Sequence, residues 1–162
     1  MSAMISTFGS RAMGRVYLAG PMATRTYGEC IDWRDKMREL CETHIRFLSP
    51  LRGLEYFMED EELPLEVDGD IMNRGAAIIA KCRMDVRRAD AVVAHFPDEN
   101  ERTSIGSMVE IGWADMLQKP VIVIRSDKEK AHAHPFVEHL AGWTVDSIEE
   151  AAAVLNVLFD EV

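Results

Sequence analysis

The chain has 162 residues, 48% apolar and 28% charged, which suits one domain with a buried core and excludes a disordered, collagenous or disulfide-stapled chain. With 18 basic and 28 acidic side chains the formal charge is −10, which disfavours a nucleic-acid polymer as partner while leaving room for one small anion in a local pocket. No apolar run approaches the roughly 18 residues of a membrane span, and Cys30, Cys41 and Cys82, odd in number and without CxxC spacing, point to reduced thiols in a cytoplasmic protein.

Residues 1–13 read as a loose leader without the apolar core of a secretory signal, and 14–162 as a single α/β domain. The first strand is Arg15-Val-Tyr-Leu-Ala19. A helix follows over 26–43, with Cys30, Trp33, Met37, Leu40 and Cys41 at three-to-four spacing. Ile45-Arg-Phe-Leu-Ser49 is the second strand. Segment 50–70 is too long for an ordinary connection and reads as a lid; its acidic run Glu59-Asp-Glu-Glu62 reads as a solvated face. A second helix spans 71–88 with Ile71, Met72, Ala76, Ile79, Cys82 and Val86 as its apolar positions. Strands three and four, over 89–96 and 120–125, are almost continuously apolar, as strands covered on both faces are. Between them a helix over 107–118 carries Met108, Ile111, Ala114 and Leu117. A weak fifth strand, Trp143-Thr-Val145, precedes a helix over 147–159, with Ser147 as N-cap before Glu149 and Glu150. Strands alternating with helices give βαβ units with right-handed crossovers. Five of them predict a flavodoxin-like, doubly wound five-stranded parallel sheet, whose ligands sit beyond the carboxyl ends of the strands.

The loops at those ends hold the candidate chemistry. Gly20-Pro21 follows the first strand; it matches neither a Walker loop nor a dinucleotide fingerprint, and a plain strand-to-helix turn is the alternative. After the third strand, Ser104-Ile-Gly106-Ser107 enters a helix, where hydroxyls and amides can receive an anion. Glu110 lies one turn further in, placed either to act as an ionised nucleophile at an acetal-like carbon or to close a capping box with Ser107. Cys82 and Asp85, three apart, share a helix face. His132-Ala-His134 has metal-pair spacing but no evident third ligand, so polar pocket lining is the better reading.

These pieces, taken in order, resemble the nucleoside 2-deoxyribosyltransferase-like family, which includes nucleotide N-glycosidases. The matching segments are Val16-Tyr17-Leu-Ala-Gly20-Pro21, Ser49-Pro-Leu-Arg-Gly53, Arg88-Ala-Asp-Ala-Val-Val93, Ser104-Ile-Gly-Ser-Met-Val-Glu110-Ile-Gly-Trp-Ala114, Lys119-Pro-Val-Ile, and a tail of His134-Pro with Val145-Asp-Ser-Ile-Glu-Glu-Ala151. The resemblance implies that Glu110 attacks the anomeric carbon and forms a sugar ester, with Tyr17 orienting it. It places Gly20 and Pro21 beside the sugar and Ser104, Gly106 and Ser107 at its 5′ end. The tail at His134 would complete a neighbour's site in a homodimer or higher oligomer. Cys82 stands where much of the family has an acidic residue that contacts and protonates the base, so Asp85 is the expected substitute. Ser104 replaces an acidic residue of transferases that take free nucleosides, and an Asn-x-Met element near the C-terminus is missing. The two hydroxyls suit a 5′-phosphate, which Arg25 could contact, and with the missing Asn-x-Met they favour hydrolysis of a nucleotide.

The expected activity is cleavage of the N-glycosidic bond of a 2′-deoxynucleoside or its 5′-monophosphate, with transfer to another nucleobase. Hydrolysis to base and sugar phosphate is the alternative. No metal or organic cofactor is expected. Two readings from other classes are a non-catalytic nucleotide-binding module and a magnesium-dependent phosphate-handling enzyme using Asp60, Asp68 or Asp70.

Overall fold

The computed structural model describes residues 14–98 and 102–160; the expected leader over 1–13 lies outside the described residues. The elements are β1 (Gly14–Ala19), α1 (Tyr27–Leu40), β2 (Ile45–Leu48), α2 (Gly75–Arg88), β3 (Ala91–His95), α3 (Ile105–Met116), β4 (Val121–Ile124), α4 (Pro135–Leu140), β5 (Trp143–Val145) and α5 (Ile148–Leu158). The five strands form one sheet in the order β2-β1-β3-β4-β5, and every neighbouring pair is parallel. This is the expected flavodoxin-like order, and the chain reverses direction across the sheet between β1 and β3.

The near-continuous apolar strands have the expected cause. Val16, Leu18, Val93 and Ile122 pack on one face with Trp33 and Met37 of α1 and Ala151, Ala152 and Leu155 of α5. Tyr17, Ala19, Val92, Ala94 and Val123 face the opposite layer of α2, α3 and α4, meeting Cys82, Val86, Ile111, Ala114 and Val137. No helix among the described residues is long and apolar enough to cross a membrane.

Helix ends follow local chemistry. Thr26 caps α1 in a reciprocal box: its hydroxyl accepts from Glu29 N at 3.2 Å, and Glu29 Oε2 accepts from Thr26 N at 2.8 Å. Ser147 caps α5 as expected, accepting from Glu150 N at 3.2 Å. Helix α4 was not anticipated from the sequence; Pro135 opens it and His134 caps it, a start signal that is legible in His134-Pro135.

Two expectations need correction. The second helix begins at Gly75 and not at 71, which leaves Ile71 and Met72 outside it. Cys82 and Val86 are buried as expected, but Ile71, Met72 and Ile79 are exposed, and Lys81 and Asp85 are buried beside Cys82 and Val86. Polar partners from segment 50–74 accompany that burial. Lys81 Nζ donates to Asn73 Oδ1 at 2.8 Å and to Arg52 O at 2.9 Å, and Arg52 pairs with Asp85. Segment 50–70, expected as a lid, is a packed wall. Leu51, Leu54 and Leu63 bury themselves against Cys30 of α1, and Tyr27 N and Gly28 N donate to Glu61 O and Glu59 O. The acidic side chains 59–62 on that wall are exposed, as expected.

Candidate active site

At the carboxyl ends of β1 and β3 lies a cavity of about 860 Å³. Its floor is reached from three elements. Strand β1 runs into Gly20 and Pro21, α2 contributes Ile78 and Cys82, and the first two turns of α3 contribute Gly106, Ser107 and Glu110. The wall segment adds Pro50, Leu54, Leu65 and Val67, a flat apolar side opposite the polar helix end.

Gly20 sits at a close approach. A Cβ there would stand 3.2 Å from both His95 O and Trp33 Cζ2, so a side chain would push the β1 loop and its neighbours apart by a few tenths of an ångström.

Helix α3 begins two residues earlier than expected, with Ser104 as its N-cap. Ser104 Oγ accepts from Ser107 N at 3.5 Å and lies 2.9 Å from Ser107 Oγ. Ser107 is therefore the third helical residue and not the cap, so the capping box between Ser107 and Glu110 does not form. Glu110 instead points into the protein, where Tyr17 Oη donates to its Oε1 at 2.6 Å.

Burial pushes the Glu110 carboxyl up to about 7; the Tyr17 hydrogen bond, the Arg34 charge and a hydrogen bond with Cys82 pull the other way. Burial first, then the Glu110 charge, raises the Tyr17 phenol well above its ordinary range, so it remains a donor. Burial and then the Glu110 charge push the Cys82 thiol up to about 11. The floor is thus a Glu–Tyr–Cys cluster in which only the carboxyl titrates near neutrality.

Arg34 is the residue that the sequence reading missed. It is fully buried, its Nη2 donates to Leu18 O at 3.3 Å and its Nη1 to Cys30 O, and its guanidinium lies 4.5 Å from the Trp33 ring centre. Burial lowers it to about 10, still charged at neutral pH, and its charge favours ionised Glu110. A signal was available: Arg34 lies four residues after Cys30 and three before Met37, on the apolar face of α1.

Of the other expected residues, Arg25 lines the cavity, its side chain 15% exposed and 3.9 Å from Glu29. Arg102 and Thr103, not singled out before, line it beside Ser104. Asp85 does not line it: buried behind Cys82, it is held by Arg52 Nη2 at 3.0 and 3.1 Å. His134 is exposed, outside its own chain's cavity, and caps α4. Asp60, Asp68 and Asp70 also lie off the cavity lining, and Asp70 accepts from Asn73 and Met72 within its own turn.

No curated protein sequence matches the chain. Solved structures share its fold. A conserved protein from Enterococcus faecalis V583 is 18% identical with a TM-score of 0.63, over 88% of this chain and 96% of that one. The 2-deoxyribosyltransferase of Bacillus psychrosaccharolyticus is 15% identical with a TM-score of 0.61, over 86% and 90%. The CMP N-glycosidase of Clostridium botulinum is 16% identical with a TM-score of 0.55, over 89% and 98%. The family model for nucleoside 2-deoxyribosyltransferase matches residues 16–157. That span runs from the Tyr17 strand through the Glu110 helix to α5, and the chain belongs to the nucleoside 2-deoxyribosyltransferase family.

Proposed function

We propose that the protein cleaves the N-glycosidic bond of 2′-deoxynucleosides or their 5′-monophosphates by double displacement on Glu110. The observation that carries this reading is the buried Glu110 carboxyl at the cavity floor, oriented by Tyr17 at 2.6 Å. An oriented carboxylate in a water-poor site is a competent nucleophile at an anomeric carbon. In the first step a Glu110 oxygen bonds to C1′ as the C1′–N bond breaks and its electron pair leaves with the base. Asp85 is held by Arg52 and does not line the cavity, so the proton that neutralises the leaving base is relayed from solvent through cavity water. In the second step a nitrogen of another base attacks C1′ as the bond to Glu110 breaks and the carboxylate leaves, and the proton of that nitrogen returns through the same water, which is transfer. The negative floor also favours the oxocarbenium-like transition state of both steps.

Hydrolysis is the second reading, and the helix mouth favours it for 5′-monophosphates. Ser104 and Ser107 present two hydroxyls at the positive end of α3, and Arg25 and Arg102 line the same cavity. Water then takes the place of the second base. The apolar wall of Pro50, Leu54, Leu65 and Val67 would hold the base. We assign His134, exposed and away from its own cavity, to a neighbouring copy's site in a homo-oligomer. A monomer by sedimentation velocity at assay concentration removes that assignment.

One chromatographic assay tests the function. Deoxynucleosides and deoxynucleoside 5′-monophosphates are incubated with and without a second free base, beside Glu110→Ala. A new base–sugar product establishes transfer, and free base with sugar phosphate establishes hydrolysis. Glu110→Ala, folded by circular dichroism, is expected to be inactive. Wild-type rate in that variant overturns the mechanism. Tight nucleotide binding with no bond cleaved leaves a binding module.

A further inference from the structure

Behind the helix mouth sits a buried acid–imidazole pair that the mechanism does not use. Glu129 and His132 are both fully buried, on the loop between β4 and α4. His132 Nδ1 lies 2.9 Å from Glu129 Oε1, and both Glu129 oxygens also accept from His132 N at 3.2 Å. The imidazole stacks on Phe96 at the end of β3, with ring centres 3.7 Å apart and planes 13° from parallel. Its other nitrogen, Nε2, accepts from the backbone N–H of Ser104 at 2.8 Å.

That contact defines the tautomer. An amide N–H can only donate, so Nε2 is the unprotonated nitrogen, and Nδ1 carries the proton given to Glu129. Glu129 is held in turn by its loop, where Arg125 Nη1 donates to Glu129 O at 2.9 Å. A second tie runs alongside: Thr103 Oγ1 donates to Ala131 O at 2.7 Å. The chain Glu129–His132–Ser104 thus ends on the N-cap whose hydroxyl meets Ser107.

Burying a carboxylate and an imidazole is costly, and apolar packing could secure a loop without them. What the pair supplies is one acceptor aimed at one amide, that of Ser104. Ser104 Oγ in turn lies 2.9 Å from Ser107 Oγ, so a shift of the Ser104 backbone would carry the hydroxyl pair with it.

We infer that His132, oriented by Glu129, is a positioning residue for the Ser104–Ser107 hydroxyl pair, and that this dyad sets the preference for a 5′-phosphorylated over an unphosphorylated substrate. The inference rests on the proposed reading of the cavity. It does not depend on whether transfer or hydrolysis follows.

The test compares kcat/KM for a deoxynucleoside 5′-monophosphate with that for the matching deoxynucleoside. His132→Phe keeps a flat ring on Phe96 but has no acceptor. His132→Gln returns an acceptor at the ε position. In His132→Phe the monophosphate-to-nucleoside ratio is expected to fall at least tenfold, mainly through KM of the monophosphate. His132→Gln is expected to recover most of it. Equal losses on both substrates, or no loss, overturn the inference. Should His132→Phe not fold, wild-type imidazole ¹⁵N shifts decide: the Nδ1–H tautomer, with Nε2 and the Ser104 amide both shifting on addition of the monophosphate, is expected. An Nε2–H tautomer, or an unmoved Ser104 amide, overturns it. Should wild type turn over neither substrate, the reading of the cavity has failed. The dyad is then judged by monophosphate binding in a calorimeter, where His132→Phe must weaken it tenfold and His132→Gln restore it.

Discussion

Tyr17 gives its phenolic hydrogen to Glu110 Oε1 across 2.6 Å, although 93 positions separate the two residues. The bond joins the middle of β1 to the second turn of α3, across the crevice where the sheet reverses direction. It holds one carboxylate oxygen, Oε1, in place. It also opposes the burial that pushes Glu110 up to about 7.

Activity is therefore expected to rise with pH through about 7 and level off above it, because only ionised Glu110 attacks. Stability runs the other way. The folded carboxyl titrates above its ordinary value, so its stabilising contribution is full below the ordinary carboxylate range and is lost as pH rises through about 7. Glu110→Gln, inactive, is expected to exceed wild type in stability at pH 8 by on the order of 1–3 kcal/mol and to match it near pH 4. Denaturant melts at both pH values check this.

Tyr17→Phe removes a hydrogen bond to a charged group, which is worth about 1.5–3 kcal/mol. The expected result is a fall in kcat/KM of roughly 10- to 100-fold with the acid limb of the pH profile moved upward. An unmoved limb would mean that Tyr17 does not support the ionised form.

Arg34→Met replaces a buried cation by an apolar side chain of similar length. It also takes a donor from the Leu18 and Cys30 carbonyls, so a folded protein that is less stable by about 1–3 kcal/mol is expected. Its Glu110 should nonetheless titrate higher, since the Arg34 charge favours the carboxylate. Rate–pH profiles beside thermal melts separate the two effects: a limb moved upward with a modestly lowered melt is the expected pair.

Cys82→Asp places a second carboxyl beside Tyr17 and Glu110. The two acids are expected to titrate as a coupled pair, one of them staying protonated to higher pH. That proton becomes available to the leaving base. The plateau of the wild-type profile should turn into a bell, with a higher kcat at its top. A flat profile of unchanged height would place Cys82 outside the path of the departing base.

Gly28→Ala tests the cavity wall. A Cβ at Gly28 would stand 2.9 Å from Glu59 O, the same oxygen that accepts from Gly28 N. Separating α1 from the wall should lower stability by about 1–3 kcal/mol and raise KM, because Leu65 and Val67 belong to that wall. Calorimetry and substrate saturation curves read the two effects.

The alternation of apolar runs with helical periods was enough to order all five strands and four of the five helices, because those signals are local. Parallel strands covered on both faces call for nearly continuous apolar residues, and β4 carries them throughout and β3 as far as Ala94. The Gly20-Pro21 turn, the Ser147 cap and the position of Glu110 early in α3 were legible for the same reason. The inward face of α2 was legible only in part. Cys82 and Val86 turn inward as their spacing implied, but Ile71, Met72 and Ile79 do not, and Lys81 and Asp85 are buried with Asn73 and Arg52, outside the helix, as partners. Arg34 showed only its place on the apolar face of α1, and the burial of Glu129 and His132 was hidden: a buried charge or imidazole is tolerable only with specific acceptors and donors around it, and Leu18 O for Arg34 and the Ser104 amide for His132 come from other elements. Local pattern thus determined which segments became strand and helix, and the tertiary structure decided which polar groups could be buried at the site, since only folding brings their partners within hydrogen-bond reach.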